Sequence, residues 1–159
     1  MHNDIICKPI GIIHSEHTDP HKTPIQPVFA KGCAGRAEVF HEYEQGLQDI
    51  EGFSHILILY HFHKSTTQRL TVKPFLENVE HGVFATCAPS RPNHIGLSVV
   101  RLVKREKNVL FLDEIDILDK SPILDIKPYV SRFNNPKDVR NGWQEKIDDQ
   151  TAYNLGRRM

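Results

Sequence analysis

Apolar residues in this chain come in short bursts instead of long periodic runs. Pro9 to His14, Arg36 to Phe40, Phe53 to His63, Val83 to Thr86, Ile95 to Val103, Val109 to Leu112 and Ile123 to Ile126 are all β-prone. Each is bounded by Gly, Pro, Asn or Asp, as strands usually are. The longest, FSHILILYHFH, alternates. Ile56, Ile58, Tyr60 and Phe62 fall on one face, and His55, Leu57, Leu59, His61 and His63 on the other, because successive side chains of a strand point to opposite sides. Glu42 to Ile50 differs: Tyr43, Leu47 and Ile50 recur at spacings of four and three, which predicts a short helix. Strands punctuated by turns, with one short helix, predict an all-β barrel or sandwich instead of βαβ repeats.

Two stretches escape this pattern. Ser15 to Gly35 is a long segment of Pro, His, Lys and Gly around PIQPVF, and structureless loops of that length are commonly functional or simply flexible. Residues 131–159 are polar, with Trp143 the natural anchor of an appendage packed on the domain.

A chain of 159 residues, 39% hydrophobic and 25% charged, has room for one domain with a single core. No apolar run reaches the roughly 18 residues of a membrane span, and Met1-His2-Asn3-Asp4 does not open a signal peptide. The three cysteines, Cys7, Cys33 and Cys87, include no C-x-x-C pair. That argues against a disulfide framework and a thiolate zinc site, and for a reducing, cytoplasmic location. Twenty basic and twenty acidic residues cancel, whereas nucleic-acid binders usually carry positive excess. Basic residues do cluster at Arg101, Lys104, Arg105 and Lys107, and at Arg157-Arg158; such clusters are as readily solvated strand edges and a chain end.

Three places could carry chemistry. His61 and His63 form an H-x-H on one strand face, which would suit a metal such as Zn²⁺, but no third ligand stands in register. Arg91-Pro92-Asn93 joins Val83–Thr86 to the following strand. Pro92 restricts Arg91, so its guanidinium is either a solvated turn group or a rigid fork for a carboxylate or phosphate. Asp119 and Ser121 precede an apolar strand and could cap a turn or face a ligand. No G-x-G-x-x-G, P-loop or G-x-S-x-G is present, so a Rossmann-type cofactor site is not expected.

GVFATCAPSRPNHIGLSVVRL, over Gly82–Leu102, resembles the signature of the TsaA-like, or TrmO, family, commonly GVFATRSPxRPNPIGLSxVxL. PIGIIHS, DIEGFSHILILYHFH and LDKSPILDIKPYV match further blocks of that family in the same order, and NPKDVRNGW is similar to the tail of its short archaeal-like members. The resemblance implies an all-β, single barrel-like domain over residues 1–130, with residues 131–159 packed on it. It implies a homodimeric methyltransferase that uses S-adenosylmethionine. Its substrate would be transfer RNA, gaining an N6-methyl group on N6-threonylcarbamoyladenosine beside the anticodon. By motif position the cofactor contacts fall on Gln26, Pro27, Val28, His63, Lys64, Arg91, Asp119, Lys120, Ser121 and Pro122. Cys87 stands where the family commonly has Arg, and His94 where it has Pro.

Methyl transfer from a sulfonium depends chiefly on positioning, and no metal is expected. The urea-type acceptor nitrogen must lose a proton, so His63 and Asp119 are the candidate bases. The sulfonium would suit an aromatic face such as Tyr60. Two other readings stay open: a metal-dependent hydrolase or isomerase on His61 and His63, and a non-catalytic adenosine-ligand or RNA-binding module.

Overall fold

Short strands with one apolar face can bury that face by closing into a ring, and this chain does so. The computed structural model describes residues 3–158. Along it run β1 (Gly11–Ser15), β2 (Gly35–Val39), β3 (His55–His61), β4 (Thr71–Val72), β5 (His81–Gly82), β6 (Ile95–Glu106), β7 (Val109–Asp113) and β8 (Pro122–Pro128). Six of these form a closed barrel in the order β1-β2-β7-β6-β3-β8, while β4 and β5 make a separate two-stranded ribbon. Every barrel pairing is antiparallel, and β8 returns to β1 through Gly11–Ile123 and Ile12–Pro122. Closure leaves no barrel edge open to pairing.

The alternation in β3 holds: Ile56 and Ile58 are fully buried and Tyr60 nearly so, while the intervening residues are half-buried. Ile13, Ala37, Val39, Val100, Leu102, Leu110, Leu112 and Ile123 fill the same interior from the other strands. β6 serves two partners, its first half pairing with β3 and its second with β7, with a bulge between Leu102 and Lys104. Such an extra residue bends a strand and lets it turn a barrel corner.

Two expectations are corrected. Val83–Thr86 is not a strand: Val83–Ala85 form a 3-10 turn with Val83 buried. β6 already has β3 and β7 on its two sides, so no free edge remains for Val83–Thr86, and Arg91 does not sit in a hairpin. Glu42–Ile50 is not one α-helix but 3-10 segments at His41–Leu47 and Ile50–Gly52. Gly46 weakens the first, and Asp49, at φ 67°, breaks the chain between them. The 3.6-residue pattern still found the right side chains, since Leu47 is buried and Tyr43 and Ile50 pack on the core.

After β8 come α1 (Ser131–Asn134), a 3-10 segment at Gly142–Lys146 and α2 (Asp149–Arg157). Asp148 caps α2 by accepting from the Thr151 N–H at 2.9 Å, a standard way to satisfy an orphan amide. Trp143 donates from Nε1 to the Ala85 carbonyl at 2.8 Å and stacks on His81 at 4.7 Å. Gly156 lies under Phe29 so closely that an added Cβ would come within 2.4 Å of the ring. Among the described residues no helix is long and apolar enough to cross a membrane.

Candidate functional site

Of the sequence-predicted residues, His63, Lys64, Asp119–Pro122 and the Arg91 segment gather where β3 leaves the barrel and β8 enters it, whereas Gln26–Val28 do not join them. His63 follows β3, and its Nδ1 lies 3.2 Å from the Ser121 hydroxyl. Ser121 is buried and fixed from both sides. Its amide donates to the Leu118 carbonyl at 3.2 Å, while its carbonyl accepts from Ile13 at 3.0 Å. The turn before it needs Lys120 at φ 65°, a left-handed conformation that is costly for a residue with a Cβ. Backbone bonds hold that strain in place: Asp119 N–H to the His17 carbonyl and Lys120 N–H to the Ile13 carbonyl, both 2.8 Å.

Asp119 is a brace here. Its Oδ1 accepts from the Ser15 amide at 3.1 Å, while the Ser15 hydroxyl donates to the Ile117 carbonyl at 2.7 Å. Lys64 reaches across to donate to the Thr18 carbonyl at 2.7 Å, tying the end of β3 to the long loop. Gln26, Pro27 and Val28 occupy the far arm of that loop. Pro27–Phe29 form a 3-10 turn seated on α2, where Ile25 donates to the Gly156 carbonyl at 2.9 Å and Phe29 meets Tyr153 edge-on at 6.5 Å. Val28 is 73% exposed.

Arg91 belongs to the segment beside His63. Phe62 donates to the His94 carbonyl at 2.8 Å, and Ser65 Oγ to the Pro89 carbonyl at 3.0 Å. The Arg91 guanidinium donates from Nη1 to the Thr86 carbonyl at 2.8 Å, so part of its fork steadies its own loop. Asn93 and His94 are both left-handed, at φ 66° and 49°, and His94 Nδ1 donates to the Pro89 carbonyl at 3.0 Å. A proline, fixed near φ of about −65°, could not take the His94 conformation. The turn in this chain therefore differs from one built on R-P-N-P.

Burial and the nearby Lys64 and His61 push the His63 imidazole below its ordinary pKa, with Asp119 opposing weakly. Neutral imidazole is thus favoured at this end of the barrel, and the neutral ring is the form that can take a proton.

Two features of the interior bear on the chemistry. Tyr60 is buried, edge-on to Phe62 at 5.2 Å, and its ring lies so near Gly96 that an added Cβ would sit 2.4 Å from Cζ. Core atoms cover its face, so it is no platform for a sulfonium, contrary to the expectation from sequence. Beneath it lies Asp116, buried, with Oδ1 lacking any hydrogen-bond partner. Burial raises its pKa from 3.8 to about 7, moderated by Ser98, whose hydroxyl also points to Tyr60 Oη at 3.4 Å. The His61–His63 pair is not drawn into a three-ligand cluster among the described residues; the group brought within coordinating reach is Glu16, His17 and Cys33.

The sequence model of the tRNA-methyltransferase O N-terminal domain matches residues 12–135. A probable S-adenosyl-L-methionine-binding protein of Pyrococcus abyssi is 54% identical over 143 residues, spanning 89% of this chain and 78% of that protein. The human tRNA (adenine(37)-N6)-methyltransferase is 35% identical over 143 residues, covering 86% of this chain but 32% of the human one. The crystal structure of TrmO from Pseudomonas aeruginosa superposes with a TM-score of 0.76 at 38% identity, over 88% of this chain and 62% of that one. The chain therefore spans about a third of the human enzyme's length and under two thirds of the Pseudomonas one. With its barrel, its motif blocks and these matches in agreement, the chain belongs to the tRNA-methyltransferase O family.

Proposed function

We propose that this protein is an S-adenosylmethionine-dependent methyltransferase acting on N6 of the adenosine at position 37 of transfer RNA. We also propose that its acceptor carries the N6-threonylcarbamoyl group. The observation that carries the reading is the convergence of His63, Lys64, Asp119–Pro122 and the Arg91 loop at one barrel end. The names of the relatives, an S-adenosyl-L-methionine-binding protein and a tRNA (adenine(37)-N6)-methyltransferase, support it.

The donor set fits the cofactor's chemistry. The remaining N–H groups of Arg91 suit a carboxylate, and Lys64 adds positive charge beside it. The strained Asp119–Pro122 turn and the PIQPVF arm offer backbone donors and acceptors for a nucleoside. Bound there, S-adenosylmethionine supplies an electrophilic methyl carbon on a sulfonium.

The chain's own residues do the rest. Ser121, immobile in its buried turn, orients the His63 ring. With Nδ1–H donating to Ser121 Oγ, Nε2 keeps the lone pair that takes the proton of the acceptor nitrogen. Asp119 keeps the β1 and β8 ends in register by holding Ser15 through Oδ1, and its Oδ2 is the second candidate base. Holding the partners in line is the main contribution available to such a displacement.

Homodimerisation and a cytoplasmic location are part of the proposal. Exposed Leu70, Phe75, Val79 and Phe84 supply apolar surface of the kind interfaces bury, and Cys7, Cys33 and Cys87 are not joined in disulfides. The test of the substrate uses two preparations of one transfer RNA, with and without the threonylcarbamoyl group. Methyl incorporation into the first alone supports the reading, and equal incorporation into both removes the threonylcarbamoyl requirement.

A further inference from the structure

The β1–β2 ladder ends where Ser15 pairs with Gly35, so the residues just beyond that pair face each other across the mouth of the long loop. Glu16 and His17 lie on one arm and Cys33 on the other. Each offers one donor atom, and these atoms all lie within 4.8 Å of one another. His17 is 5% exposed and Cys33 2%, so two of the three donors are enclosed by the fold.

The fold fixes the tautomer of the imidazole. His17 Nε2 bonds the Ile115 carbonyl at 2.8 Å. A carbonyl only accepts, so Nε2 carries the proton and Nδ1 the lone pair. Metal-bound histidines are commonly held this way, with the second nitrogen donating to a carbonyl or carboxylate. The Ile115 amide in turn donates to the Cys33 carbonyl at 3.1 Å, so a single backbone segment braces both enclosed ligands.

We propose that Glu16, His17 and Cys33 form a binding site for a zinc-class divalent transition metal, with a fourth position open to water. A thiolate with an imidazole selects zinc-like ions over magnesium or calcium, which prefer oxygen. A tetrahedral zinc with ligands at about 2.0–2.3 Å separates its donors by roughly 3.3–3.8 Å. The cluster must therefore contract by no more than about 1.5 Å, and the exposed Glu16 side chain can supply most of that movement. On its outer side Glu16 borders an open hollow that Ser15, Ala34 and Gly35 also line. Burial and then the neighbouring Glu16 hold the Cys33 thiol above its ordinary pKa, so a bound dication displaces that proton, and Glu16 with the resulting thiolate balances its charge. The site departs from the metal-free expectation, which rested on the missing third ligand at His61 and His63 and on three cysteines with no C-x-x-C pair.

Such a metal would clip the loop shut at its base, fixing the arm that carries Gln26–Val28. That consequence rests on the proposed function; metal binding itself does not.

The test uses the full chain, stripped of metal and kept reduced, titrated with Co²⁺ and then with Zn²⁺. About one Co²⁺ per chain should bind, with a thiolate-to-cobalt charge-transfer band that Zn²⁺ abolishes. Cys33→Ser should lose the band. Glu16→Ala, at an exposed position, should keep the fold and weaken Co²⁺ binding roughly tenfold or more. No band in the wild-type protein overturns the proposal, as does a band that survives Cys33→Ser. If Cys33→Ser fails to fold, unchanged Co²⁺ affinity in Glu16→Ala overturns it. S-adenosylmethionine binding, measured separately, distinguishes failure of the metal site from failure of the methyltransferase reading.

Discussion

Replacing Asp116 by Asn keeps the size of the side chain and removes its ability to ionise. In the folded protein burial raises this carboxyl from 3.8 to about 7. Between those values the folded state holds a proton that the unfolded chain releases, so wild-type stability falls as pH rises and levels off above about 7. At about 1.4 kcal/mol per pH unit, the full displacement is worth roughly 4 kcal/mol. Water penetration and the higher effective dielectric of real interiors bring the expected loss to about 2–4 kcal/mol. Asp116→Asn should escape it. The lowered pKa of His63 works in the opposite sense, adding stability as pH rises through its unfolded midpoint, so the wild-type curve alone mixes two effects. The difference between wild type and Asp116→Asn isolates the carboxyl. Urea unfolding followed by far-UV circular dichroism, from about pH 5 to about pH 8, supplies both curves. The variant's advantage over wild type is expected to grow by about 1–3 kcal/mol from the acid end to the alkaline end. A constant difference across the range would refute the argument, because a merely structural exchange has no reason to follow pH.

Three other substitutions probe the barrel end. Arg91→Lys should weaken S-adenosylmethionine binding nearly as much as Arg91→Ala, by about 1.5–3 kcal/mol in calorimetry, and retention of wild-type affinity in Arg91→Lys would show that charge alone suffices. Ser121→Ala removes the hydroxyl facing His63 and should lower kcat by about tenfold with little change in melting temperature; an unchanged kcat would detach His63 from that contact. Gly156→Ala forces a Cβ against the Phe29 ring, costing about 1–3 kcal/mol of stability and raising KM for S-adenosylmethionine, while an unaltered KM would separate α2 from the cofactor arm.

Much of this architecture was legible because period-two alternation is a direct consequence of one wet and one buried face. Ile56, Ile58 and Tyr60 declared the inside of β3, and turn residues marked the limits of β1, β2, β7 and β8. Val83–Thr86 misled because a β-prone run becomes a strand only where an edge is free, and edges are a property of the closed barrel. Asp116 was hidden for a related reason. Alternation would set it opposite Ile115 and Ile117, yet all three are buried, since this stretch is not a strand and is enclosed on every side. The motif blocks identified His63, Ser121 and Arg91, and the structure draws their segments together. What no local pattern could show was that Asp119 braces Ser15 through Oδ1, or that Cys33 meets Glu16 and His17. Those meetings depend on the register that pairs Ser15 with Gly35.

The central claim is that this barrel transfers a methyl group to the base at position 37. Transfer RNA incubated with the protein and methyl-deuterated S-adenosylmethionine, digested and read by mass spectrometry, tests it most directly. The account predicts a deuterated methyl group on the adenosine nucleoside of the position-37 fragment and on no other fragment. An unchanged mass at that fragment, from protein that binds S-adenosylmethionine and from transfer RNA that carries the threonylcarbamoyl group, would contradict it.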